Sequence, residues 1–151
     1  MIDAPTNQDK APSFAIRGQY IKDLSFENPN APQSLLPTNT PPKIEVAVDL
    51  KAQKLQDDLY ETILRISARA NSAEGMPLFL VELSYAGVFQ IANIPPERIE
   101  QLIMVDCPFV MFPFARRVVA DTTRDGGFAP LMLDPIDFHT LYMQNKARAT
   151  A

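Results

Sequence analysis

Few side chains in this sequence are equipped for covalent or acid–base chemistry. Cys107 and His139 are the only cysteine and the only histidine among 151 residues. A thiolate–imidazole pair would require the two to meet, and neither stands in a recognisable nucleophile setting. An inert buried thiol and a surface imidazole account for them equally well. A zinc centre needs a closely spaced set of Cys, His or acid ligands, which the chain lacks, so no metal or other cofactor is expected. Gly126-Gly127 falls where a helix should close, not where one opens on a phosphate. Asp57-Asp58 reads as a solvated turn before it reads as a general acid and base. What the sequence offers in place of a reactive centre is apolar residues, most densely in CPFVMFPFARR at 107–117. Core packing, subunit contact and an adhesive surface for other polypeptides are all open as its use.

The totals narrow the setting. A formal net charge of −4 and the absence of a Lys/Arg cluster argue against nucleic acid, which is held by displacing counterions with clustered cations. One cysteine allows no internal disulfide. The opening MIDAPTNQDK has acids where a secretory signal would have a basic start and an apolar run, and no apolar stretch nears the ~18 residues a membrane helix needs. A cytoplasmic protein without membrane insertion is expected. The length suits one domain with its own core. We divide the chain into a mobile tail at 1–12, a single domain at 13–146 and a short mobile tail at 147–151.

Periodicity then places the elements. FAIRGQYIKDLSFE has mixed alternation, with Tyr20, Lys22, Leu24 and Phe26 on one side of a strand and a bulge or close approach marked by Gly18. NPNAPQSLLPTNTPP holds five prolines in fifteen residues and must be a semi-rigid crossover carrying Leu35 and Leu36. IEVAVDL alternates with Ile44, Val46, Val48 and Leu50 on one face. The run DDLYETILRISARA fits helix or strand, and its β-branched residues favour strand. PLFLVELSYAGVFQI puts Phe79, Val81, Leu83 and Tyr85 on a buried face, and Leu80, Glu82, Ser84 and Gln90 on a wetter one. Helical spacing starts at Pro96 and is expected to end at Cys107-Pro108. A longer helix follows over 109–124, with Phe109, Phe112 and Val119 on one stripe. A last helix is capped by Asp134, with Pro135 in its first turn and Phe138, Leu141 and Tyr142 on one side. Strands first and helices after make an α+β domain with an antiparallel sheet.

KDLSFENPNAP, at 22–32, closely resembles the signature of the SecB family of bacterial export chaperones. CPFVMFPFAR at 107–116, GGFAPLMLDPIDF at 126–138 and LY at 141–142 agree in the same order. The resemblance implies a four-stranded antiparallel sheet with a long helix and a C-terminal helix on one side, assembled as a homotetramer, a dimer of dimers. It also implies a non-enzymatic, ATP-independent holdase that keeps unfolded precursors translocation-competent and delivers them to the SecA motor. Carried over by residue, SecA contact falls on Asp23, Glu27, Leu80 and Glu82. The client groove falls on Leu35, Leu36, Ile44, Val46, Phe138, Leu141 and Tyr142. The oligomer interface falls on Val81, Leu83, Tyr85, Phe109, Phe112 and Val119. Two other readings stay in view: a carrier of small apolar ligands or lipids in a sheet–helix cavity, and a hydrolase using Cys107.

Overall fold

The computed structural model describes residues 11–150. Most of the tail proposed at 1–12 lies outside them. Four strands, β1 (Ser13–Glu27), β2 (Lys43–Gln56), β3 (Leu59–Asn71) and β4 (Pro77–Ala92), form one antiparallel sheet in the order β1-β4-β3-β2. The ambiguous third segment is a strand because every second residue from Thr62 to Ala70 is buried, a two-residue period that only a pleated chain produces. The turn at Asp57 and Asp58, with Asp58 at φ 65°, joins β2 to β3. The turn after Ser72, with Gly75 at φ 90°, joins β3 to β4. Since β1 and β2 are the two edges, residues 28–42 must carry the chain across the full width of the sheet.

Two bulges set which way β1 presents its side chains. Register slips between Ile16 and Gly18, as Gly18 suggested, and again between Ile21 and Asp23. The second slip corrects the placing of Tyr20, Lys22, Leu24 and Phe26 on one side of the strand. An extra residue reverses the alternation, so Tyr20 and Lys22 face away from the helices, whereas Leu24 and Phe26, opposite Leu83 and Val81, face toward them.

The helical layer covers one face. α1 (Pro96–Gln101) runs without a break into a π-helical turn, Leu102–Asp106, and then into α2 (Cys107–Asp125). The expected stop at Cys107-Pro108 does not occur. The Cys107 amide donates to the Leu102 carbonyl five residues back, and this wide turn leaves room for the Pro108 ring in the first turn of α2. α2 therefore starts at Cys107, and Gly126 closes it as expected.

α3 (Phe138–Thr150) begins later than Asp134-Pro135 implied and takes in residues 147–150 of the proposed tail. Its cap is Asp137, whose carboxylate accepts from the Thr140 amide at 3.0 Å and hydroxyl at 2.8 Å. These donors hold the Asp137 carboxyl below its usual range. Thr123 ties the intervening segment to α2: it donates to the Val119 carbonyl and accepts from the Leu131 amide at 2.9 Å. Between the layers lie Leu64, Ile66, Val81, Leu83, Phe89, Met111 and Val119, all at most 2% exposed. The observed fold is thus the expected α+β sheet with helices on one side. Among the described residues no helix is long and apolar enough to cross a membrane.

Candidate functional site

The helix-free face of the sheet gathers the first candidate set. Cross-strand partners share a face, and Glu27 pairs with Leu80, Ser25 with Glu82, and Asp23 with Ser84. Leu80 thus stands about 5 Å from Glu27 between Cα atoms, and Glu82 lies diagonally about 7–8 Å from both Asp23 and Glu27. The row continues into β3, where Arg69 opposes Leu80 and Arg65 opposes Ser84, and into β2, where Glu45 and Asp49 oppose those arginines. Across these rows the charge alternates by strand: Asp23, Glu27 and Glu82 on β1 and β4, Arg65 and Arg69 on β3, Glu45 and Asp49 on β2. Within the described residues Asp23, Glu27 and Glu82 form no ion pair, so their charge is available to a partner. Two open hollows flank Glu82. One, of about 340 Å³, touches Asp23, Asp49, Arg65 and Glu82. The other, of about 280 Å³, touches Glu27, Arg69 and Leu80.

The second candidate set divides. Leu35, Leu36, Ile44 and Val46 are all exposed, Leu36 the most at 65%. Ile44 and Val46 lie on the helix side of β2, opposite Ala70 and Ala68. They stay bare because the helical layer sits mainly over β4 and β3 and reaches β2 chiefly through the π-helical turn. Leu36 lines a cleft of about 250 Å³ with Pro37, Met76 and Leu78. Leu141 is half-buried. Phe138, at 3%, and Tyr142, at 8%, are core residues, which corrects their placement in a groove. Their stripe is the one by which α3 docks, with Phe138 edge-on to Phe112 at 6.0 Å.

The third set needs a similar correction. Val81, Leu83, Phe112 and Val119 are buried inside the single chain and offer a second copy little surface. Tyr85 is buried too, with its hydroxyl donating to Gln19 at 3.1 Å. Phe109, by contrast, is 70% exposed. The apolar surface that sequence reading missed is on β1, where Phe14, Ile16, Ile21 and Leu24 are exposed along an unpaired edge. Alternation identifies a face, and only the helices' placement reveals that β1 escapes cover.

A carboxylate that sequence reading passed over lies on the helix-free face. Glu61, 4% exposed, accepts from the Tyr20 hydroxyl, from Lys22 at 3.1 Å and from Gln53 at 2.8 Å, tying β1, β3 and β2 together. The Tyr20 hydrogen bond is the main reason its carboxyl sits below the usual range, with burial opposing. Burial and the nearby Glu61 push the Tyr20 hydroxyl up to about 12.

Cys107 is fully buried, and that burial pushes its thiol up to about 12, so it is a poor nucleophile at neutral pH; His139 lies at the surface. The sheet–helix interior proposed for a carrier is occupied by the core side chains named above.

The family model described as preprotein translocase subunit SecB matches residues 7–149. The chain belongs to the SecB family. A protein-export protein SecB from Nitrobacter winogradskyi is 48% identical over 97% of this chain and 92% of its own length. Another, from Parvibaculum lavamentivorans, is 50% identical over 93% of this chain and 83% of its own. Among solved structures, a SecB-like chaperone of Mycobacterium tuberculosis, in complex with a ChAD peptide from an antitoxin, aligns with a TM-score of 0.67. It shares 13% identity and covers 82% of this chain and 90% of that one, which shows a common fold. SecB proteins are export chaperones and not a known class of enzyme, in keeping with a site built from acids and apolar side chains.

Proposed function

We propose that the chain is an ATP-independent holdase that keeps unfolded precursors in a translocation-competent state in the cytoplasm and passes them to SecA. The observation that carries this reading is the pairing of two unlike surfaces on one small fold. The helix-free face offers Asp23, Glu27 and Glu82 around Leu80, which suits a basic partner with an apolar anchor. The crossover and the helix side of β2 offer Leu35, Leu36, Ile44 and Val46, flexible apolar side chains that adapt to many extended sequences. Half-buried Leu141 completes the second surface. The exposed apolar edge of β1 and the protruding Phe109 and Phe114 of α2 support assembly of four copies, since a long apolar edge strand left bare invites pairing.

The test uses purified protein without nucleotide. Light scattering should give the mass of four chains, and excess protein should slow the refolding of an unfolded precursor. Glu82→Lys should weaken SecA binding about tenfold at low salt, less at high salt, while client holding is kept. A monomer that leaves refolding untouched would overturn the reading. Equal loss of both activities in Glu82→Lys would remove the assignment of that face.

A further inference from the structure

The two surfaces are joined by a single short stretch of chain. The crossover leaves the acidic face at Glu27 and begins with Asn28, whose side chain is used at both ends. Its Nδ2 donates to the Gly126 carbonyl at 3.0 Å, and its Oδ1 accepts from Ser34 Oγ at 2.8 Å. Two residues on, Asn30 Nδ2 donates to the Pro77 carbonyl at 2.8 Å. Gly126 closes α2 and Pro77 opens β4, so both anchors belong to the rigid framework. Ser34 lies within the 3-10 turn Gln33–Leu35, and Leu35 of that turn rests on Gly127 so closely that a Cβ there would stand 3.0 Å from both of its methyls. Two primary amides thus hold the segment that displays Leu35 and Leu36.

The hollow of about 280 Å³ beside Leu80 is walled by more than Glu27 and Arg69. Pro29, the residue between the two asparagines, and Pro77, whose carbonyl receives Asn30, line it as well. A side chain entering this hollow from the acidic face meets the fastened loop itself.

We propose that Asn28, supported by Asn30, is a positioning latch that couples the two surfaces. It holds Leu35 and Leu36 in place for a client. A basic, partly apolar side chain that fills the Glu27–Leu80 hollow displaces Pro29, loosens the amide bonds and lowers the grip on the client. The inference rests on the holdase reading and adds a reciprocal coupling: whatever factor docking imposes on client affinity, the client imposes on docking. A loop that must be ordered anew for each client binds more weakly than one already held, which gives the sign.

The experiment measures the dissociation constant of a fluorescently labelled, reduced and carboxymethylated polypeptide that cannot refold, with and without saturating purified SecA. For the unaltered chain, SecA should raise this constant about fivefold, the low end of ordinary coupling. In Asn28→Ala the constant should already be about fivefold higher, SecA should add no further change, and SecA's own affinity without client should be kept. Asn30→Ala removes only the bond to Pro77 and should reduce the coupling too, which serves if Asn28→Ala does not fold. Coupling that persists in a folded Asn28→Ala or Asn30→Ala, or its absence in the unaltered chain, overturns the latch alone. If the unaltered chain binds neither polypeptide nor SecA, the holdase reading falls and the latch falls with it.

Discussion

Replacing Glu61 by Gln tests the carboxylate that fastens β1 and β2 to β3. The substitution keeps size and shape but turns one of two acceptor oxygens into a donor. In the native chain both oxygens are occupied: one receives Gln53 and Lys22, the other Tyr20 and Lys22. The amide oxygen can accept from Gln53 while the amide nitrogen donates to the Tyr20 hydroxyl, so both contacts keep a hydrogen bond but lose the extra strength of a charged acceptor, about 1 kcal/mol net. The Lys22 contact goes as well. With the Lys22 side chain 45% exposed, that contact is worth at most about 1 kcal/mol. The expected loss at pH 7 is therefore about 1.5–2 kcal/mol. The sign of the pH dependence follows from the direction of the shift. The folded carboxyl lies below its ordinary value of 4.5, so its contribution is present above that value and disappears as pH falls through the folded one. Urea unfolding followed by circular dichroism, at fixed protomer concentration because assembly would shift the midpoint, should show a gap between the two proteins at pH 7 that narrows steadily below pH 4.5. A gap that stays constant to pH 3 would mean that the charge of Glu61 contributes nothing, and the reasoning from its partners would be wrong.

Two further outcomes follow from close packing. Gly126→Ala introduces a Cβ 2.3 Å from Phe26 Cζ, and that ring is stacked on Phe79 at 6.1 Å, so it has little freedom to swing aside. With backbone φ of −78° acceptable to any residue, the cost is purely steric, about 1–3 kcal/mol, read as a lower urea midpoint; an unchanged midpoint would show that Phe26 moves freely. Cys107, fully buried and with its thiol pushed up to about 12, should resist a disulfide reagent at pH 8 until the chain is unfolded, and stoichiometric labelling of the native protein within minutes would contradict the core assignment.

Much of the architecture is written in local pattern. The alternation of β4 alone separates the buried row of Phe79, Val81, Leu83 and Tyr85 from Leu80 and Glu82 on the helix-free face, because successive side chains of a strand leave opposite sides. The prolines of 28–42 dictate an irregular crossover, since each removes a ladder donor. Local pattern also misleads where a distant element intervenes. The bulge at Ile21/Asp23 turns Tyr20 and Lys22 toward Glu61, a partner some forty residues away, and the π-helical turn carries the helix through a Cys-Pro pair that looks like a stop. Periodicity says which residues share a face and nothing about what covers it. For that reason Phe138, Tyr142, Phe112 and Val119 proved to be interior while Phe14, Ile16 and Ile21 proved to be bare, a division fixed by where α2 and α3 settle on the sheet. Asn28 is the sharpest case. Its place in the sequence marks only the end of a strand, and its two hydrogen bonds exist because folding brings Gly126 and Ser34 to opposite ends of one amide.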